Sequence, residues 1–203
     1  MSNTVIKLLM VSAVCFGTTA VYADCVCGTQ GCKACANAEE FLEERGEMIT
    51  DHAKNLKKTA WGLKDASSSA KVESARGQGD CVTENVAFFM EQADVLEKNG
   101  QVVLWYADVM EDDVLPLKAS DYPKAKADAQ NLVATGTQMK TDAAAKKAAC
   151  AAKTVEIAAI EDDVIATAMK GHQEDVISYL EIVEQNGDAL IASGEMIESK
   201  LSP

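Results

Sequence analysis

The stretch VTENVAFFMEQADVLEKNGQVVLWYADVMEDDV, residues 82–114, settles the fold class. Its apolar and small residues stand at Val82, Val86, Phe89, Ala93, Leu96, Gly100, Val103, Ala107, Met110 and Val114, in alternating steps of four and three without a miss. A half-buried strand would alternate every second residue. The 3-4 alternation instead lays one stripe along an α-helix, and a stripe this long asks for near-parallel or antiparallel helical partners.

Working outward, the same rule holds upstream along Leu42, Gly46, Ile49, Ala53, Leu56, Ala60 and Leu63. Downstream it runs through Ala125, Ala129, Leu132, Gly136, Met139 and Ala143, then drifts onto Cys150, Ile157, Ile160 and Val164. It recovers along Val176, Leu180, Val183, Gly187, Leu190, Gly194, Ile197 and Leu201. Only three prolines and 5% aromatic residues suit helices rather than sheets. The expectation is an all-α, up-down antiparallel bundle of about four long helices with short connections.

Punctuation sets the expected boundaries. Glu39, Glu40, Glu43 and Glu44 crowd what reads as the first turns of helix 1, where the helix dipole favours acid. Arg76-Gly77-Gln78-Gly79-Asp80 reads as a turn, and Pro116 as the stop of the second helix soon after Val114. Ser120 or Asp121 caps the third helix with Pro123 in its first turn, and Gly171 marks a break or a bend before the fourth.

Each helix also carries an apolar residue, a glycine four later and an apolar residue three beyond. The sets are Leu42, Gly46, Ile49; Leu96, Gly100, Val103; Leu132, Gly136, Met139; and Val183, Gly187, Leu190. Around Glu97-Lys98-Asn99-Gly100 and Glu184-Gln185-Asn186-Gly187 the match extends, as a duplicated helical hairpin would show. A helix-interior glycine costs about 1 kcal/mol against alanine, so something must offset it four times. Close approach of helix backbones is one offset; helices loosened for bending or opening on a partner is the other. The two Asn-Gly pairs read alternatively as helix breaks.

Residues 1–23 have the form of a secretory signal, with Lys7 ahead of an apolar run from Leu8 to Gly17 and Val21-Tyr22-Ala23 before a cut at Asp24. The apolar run is too short to span a bilayer, and nothing later predicts insertion of the processed chain. Domain organisation is then a signal peptide (1–23), a Cys-rich arm (24–36) and a helical bundle (37–203), located in the periplasm or outside the cell. The formal charge is −13 and becomes one unit more negative when Lys7 leaves, which disfavours nucleic acid and anionic lipid as partners.

Six cysteines remain after the cut: Cys25, Cys27, Cys32, Cys35, Cys81 and Cys150. An even number in an exported chain reads as disulfides. The four in the arm pair among themselves, leaving Cys81 for Cys150. Antiparallel arithmetic about residue 120 sets Cys81 opposite roughly residue 159, so that last bond needs an offset, a bend in the third helix or a flexible approach at Cys81. A second reading makes Cys25, Cys27, Cys32 and Cys35 thiolate ligands of zinc or copper, with Met48 or His52 nearby. A third gives Cys32-Lys33-Ala34-Cys35 a redox role at a helix N-terminus.

Catalytic patterns are wanting. Two histidines, His52 and His172, lie on different helices, CxxC is followed by Ala36, and no Glu-x-x-His, GxSxG, P-loop or GxGxxG occurs. The carboxylate runs Glu111-Asp112-Asp113 and Glu161-Asp162-Asp163 read as solvated faces. Trp61, Trp105, Tyr106 and Phe88 flank the stripes; burial against a second neighbour is one account of them. Exposure would instead make Trp61, Trp105 and Tyr106 partner-binding residues. The expected function is non-enzymatic and cofactor-free: an exported bundle that contacts other proteins or further copies of itself, as a structural or accessory subunit of a surface or secretion assembly. Metal handling through the Cys cluster, and a small-ligand sensor or carrier with a pocket where glycines leave space, are the alternatives.

Overall fold

The 3-4 stripe of residues 82–114 becomes the buried side of a helix running Val82–Met110, seen in a computed structural model that describes residues 33–67, 80–111 and 120–201, with side chains from Asn37 onward. Among the described residues four long helices and one short one follow in chain order: α1 (Lys33–Ser67), α2 (Val82–Met110), α3 (Tyr122–Ala152), α4 (Thr154–Ala158) and α5 (Asp163–Leu201). No strand occurs among the described residues. The expected signal peptide, Cys25, Cys27 and Cys32, the turn residues Arg76–Gly79 and the Pro116 stop lie outside them.

Packing is tightest within two pairs, α1 on α2 and α3 on α5. Both pairs are antiparallel. Gly46 faces Leu104 while Lys57, further along α1, meets Asp94 and Glu97, earlier on α2. Gly194 lies against the Ala129 carbonyl, Gly187 against Gly136, and Glu184 pairs with Lys147. The glycines therefore serve close approach. A methyl on Gly136 would land on the Gly187 carbonyl oxygen, one on Gly187 on the Gly136 carbonyl oxygen, and one on Gly100 would lie 3.3 Å from the Gly46 carbonyl. Both Asn-Gly pairs sit inside unbroken helices, with Asn99 Nδ2 donating to the Val95 carbonyl (2.8 Å) and Asn186 Nδ2 to the Ile182 carbonyl (2.7 Å).

The two hairpins repeat one another contact by contact. Gly46, Thr50 and Lys57 of α1 correspond at one constant offset to Gly136, Lys140 and Lys147 of α3, and Glu97, Gly100 and Leu104 of α2 at another to Glu184, Gly187 and Ile191 of α5. In both, the first glycine meets the aliphatic residue four past the second glycine, and that second glycine meets the Thr50 or Lys140 side chain. The same two positions hold the cross-helix ion pairs Lys57–Glu97 and Lys147–Glu184.

Between hairpins, α5 touches both α1 and α2, whereas α1 and α3 make no more than marginal contact. A cross-section with α2 and α5 on the short diagonal follows. These two helices need a wider buried side, and they have it: α2 buries Asn85, Gln92, Asn99 and Tyr106 beside its stripe, and α5 buries Gln173, Asn186, Ser193 and Lys200. The seven-residue spacing of the α2 set is that of a second column on one helix face. His52 on α1 meets Asn186 on α5, ring Nδ1 to amide at 3.0 Å, joining the hairpins mid-length.

Several boundaries differ from expectation. α1 begins at Lys33, inside the expected arm, so its first turn holds no acid and Glu39–Glu44 lie deeper in the helix. α2 ends at Met110, four residues short of the expected Val114, where the Glu111 backbone turns extended (φ −65°, ψ 119°). Asp80 caps α2, its Oδ1 accepting from the Val82 and Thr83 amides (2.8 and 3.3 Å). Gly171 is no break, since it lies within α5; the break comes at residues 159–162, where Asp162 Oδ1 accepts from the Val164 and Ile165 amides (2.9 and 3.1 Å). At the end of α3 the Cys150 carbonyl accepts locally from the Lys153 amide (3.1 Å) and, from another helix, from Gln173 Nε2 (2.6 Å). Ile157 and Met169 form a small separate core there, flanked by Ile160, Ile165 and Ala168, and Val164 is left exposed rather than in a stripe.

Cys81, at the N-cap of α2, is disulfide-bonded to Cys150 near the end of α3, with a Cα–Cα distance of 5.3 Å. The expectation that a straight antiparallel pairing forbids this bond is corrected by the register. Tyr106 on α2 bonds Asp128 on α3, so the two helices mirror about the centre of their connection near residue 116, not 120. The bond ties the hairpins together at the end remote from the connection between α2 and α3.

Candidate interaction groove around Trp105

The flanking aromatics of the α2 stripe separate by depth. Tyr106 points inward and is fully buried, and Phe88 is buried as well, so the reading of Tyr106 as a partner-binding residue, which required exposure, is corrected: its hydroxyl reaches across to α3. Trp105, one residue earlier on the helix, stays 39% exposed.

Tyr106 nevertheless shapes the surface. Its ring meets the Trp105 indole edge to face, centroids 4.7 Å apart, and its hydroxyl donates to Asp128 Oδ2 at 2.8 Å. Burial first, and then that bond to a carboxylate, hold the Tyr106 hydroxyl well above its ordinary pKa, so it remains a proton donor. Lys124 donates to the same carboxylate oxygen at 2.6 Å and places its ammonium 5.4 Å from the Trp105 ring centroid. The indole is thus fixed by an aromatic edge, a cation and a shared carboxylate.

Beside it lies a shallow depression of about 300 Å³, lined by Lys98, Gln101, Val102, Trp105, Lys124 and Asp128. α2 supplies the first four and α3 the other two, so the groove exists only because the two hairpins meet here. Asp128 and Lys124 escaped sequence reasoning. Mirroring about residue 116 would have set residue 128 near Tyr106.

Trp61 is more exposed, at 55%, on the outer side of α1 beside Gly62, which has nothing around it. Lys64 Nζ lies 5.0 Å from its ring centroid. Trp61 and Trp105 stand on the same hairpin, but its register, with Gly46 against Leu104 and Lys57 against Asp94, sets them far apart along it, so they form no joint site.

The interhelical pocket expected where glycines leave space is not found at these glycines: Gly46, Gly100, Gly136, Gly187 and Gly194 all have neighbouring atoms against the position a side chain would take. Of the expected metal cluster, Cys25, Cys27 and Cys32 lie outside the described residues and the Cys35 side chain is not described. His52 is engaged with Asn186, and among the described residues no group of three metal-binding side chains converges. No helix among them is long and apolar enough to cross a membrane.

No protein-family model, curated protein or solved structure matches this chain.

Proposed function

We propose that this chain is an exported, non-enzymatic bundle that works by holding other protein surfaces, as a structural or accessory subunit of an envelope or surface assembly, and that the Trp105 groove is its contact point. The observation that carries the reading is the Trp105 surround. A large indole left partly open, braced by Tyr106, Lys124 and Asp128, has the make-up of an interface anchor: rigid, amphipathic and rimmed by polar groups. The signal-like residues 1–23 support delivery to the periplasm or beyond.

The test is affinity capture of the tagged native protein from its own envelope fraction, beside Trp105→Ala and Trp61→Ala variants. The proposal expects a stoichiometric neighbour, retained by Trp61→Ala and lost by Trp105→Ala. Capture without a neighbour, or a neighbour indifferent to Trp105→Ala, removes the groove from the account. N-terminal sequencing of the same sample should begin at Asp24; a chain that begins at Met1 removes the export half.

A further inference from the structure

We infer that the groove at Trp105 receives the α4–α5 tip of a second copy of this chain, so that the protein associates head to tail. This rests on the proposed reading of the chain as one that acts through protein contacts, and it names the partner.

The tip carries the two most exposed large apolar residues of the described chain, Val155 on α4 at 78% and Val164 at the start of α5 at 64%. They flank the small core of Ile157 and Met169, and acidic Glu161, Asp162 and Asp163 lie immediately before Val164. Two open β-branched side chains are a poor surface for water and a good one for a shallow apolar seat.

The groove is complementary in both respects. Val102 and Trp105 give it an apolar floor, and Lys98 and Lys124 stand at its rim. Lys124 already shares Asp128 with Tyr106, while Lys98 has no carboxylate partner among the described residues. On a chain of net charge −13, copies repel one another over most of their surface. A groove with two lysines against one aspartate is where an acidic tip meets attraction instead.

Geometry makes the contact polar. Trp105 and Lys124 lie near the end of the bundle where α2 finishes and α3 begins, and Val155 and Val164 lie at the opposite end. At 1.5 Å per helical residue the two surfaces are roughly 40 Å apart along the axis. In the head-to-tail arrangement, as opposed to an antiparallel side-by-side pair, a copy that fills one groove leaves its own groove and the other copy's tip free. Association then continues beyond a pair as a chain, and a mass that stops at the dimer overturns it.

Sedimentation equilibrium of the processed protein over roughly 10 µM to 1 mM, the range in which a small contact registers, is the test. The wild-type mass should rise past the dimer. Trp105→Ala and Val164→Asp should each shift the rise to at least about tenfold higher concentration, which is 1.4 kcal/mol. Lys98→Glu alone and Glu161→Lys alone should stay monomeric, and mixing the two should restore growth, because each contact then pairs opposite charges. All four positions are exposed, so melting curves matching wild type confirm intact folds. A wild-type monomer at every concentration overturns the inference, as does growth unaffected by Val164→Asp or a mixture that fails to grow. If the protein stays monomeric while Trp105→Ala still releases another protein in the capture experiment, the head-to-tail contact falls and the proposed function stands.

Discussion

Alanine in place of glycine has opposite consequences at different points of the same helices, and the sign follows from what surrounds each Cα. Gly62 and Gly171 sit within α1 and α5 with nothing inside 4 Å of the position a methyl would take. There the substitution only removes backbone freedom from the unfolded chain and should stabilise by about 1 kcal/mol. At Gly136 the methyl meets the Gly187 carbonyl oxygen, with Ile191 Cγ1 at 2.9 Å and Ile191 N at 3.2 Å. Two of those three atoms belong to backbone held in helical bonding, so α3 and α5 must move apart. Overpacking of that kind costs about 3 kcal/mol at the rigid end of its range, the propensity gain returns about 1, and the net loss is about 2 kcal/mol. With a urea dependence near 2 kcal/mol/M, Gly136→Ala should lower the unfolding midpoint by about 1 M and Gly171→Ala raise it by about 0.5 M. Because Gly136 and Gly187 occupy one gap, the double variant should lose less than the two single losses combined. Urea melts followed by circular dichroism read all of these. Gly136→Ala at or above the wild-type midpoint would refute the close-approach account of the four glycines.

Replacing both Cys81 and Cys150 by alanine opens a loop with a sequence separation of 69 and should cost about 4 kcal/mol by chain entropy, seen as a lower urea midpoint; an unchanged midpoint counts against the bond. Glu39 has its pKa raised, first by burial and then by Glu111, Glu43, Glu40 and Asp108, so the folded chain holds that proton more tightly than the unfolded one. Stability from this group therefore falls as pH rises from the ordinary Glu value through the raised one, and Glu39→Gln should melt higher than wild type at pH 7 and equal to it near pH 3. Lys57 is pushed up to about 12 by its hydrogen bonds to Asp94 and then Glu97. Its contribution is complete below 10.5 and is lost as pH climbs through 12, so wild type should lose more melting temperature over that window than Lys57→Met does.

The stripes were legible because one buried column per helix is a sequence-local property: Leu42 through Leu63 and Val176 through Leu201 are buried where the 3-4 alternation sets them. What the pattern omits is how many neighbours each helix has. Nothing local tells α2 and α5, with their second columns, from α1 and α3, and so the pattern left burial and exposure both open for Trp105 and Tyr106 and could not tell the two apart. The end of α3 was hidden for a similar reason, since no glycine or proline marks it and its Cys150 carbonyl takes a second donor, Gln173, from another helix. The α2–α3 register failed through a pivot misplaced by about four residues, which concealed both the reach of Cys81 to Cys150 and the meeting of Trp105 with Lys124 that builds the groove.

The doubling of the hairpin bears on how the chain assembles. Each glycine-seated pair joins helices that follow one another closely in sequence, so both halves can zip from short-range encounters, quickly and independently. The halves join through fewer contacts, among them His52 with Asn186, and the Cys81–Cys150 disulfide locks the joint covalently. A chain built this way can complete its two halves before it joins them, an order that would suit the proposed export, in which folding finishes after the membrane is crossed.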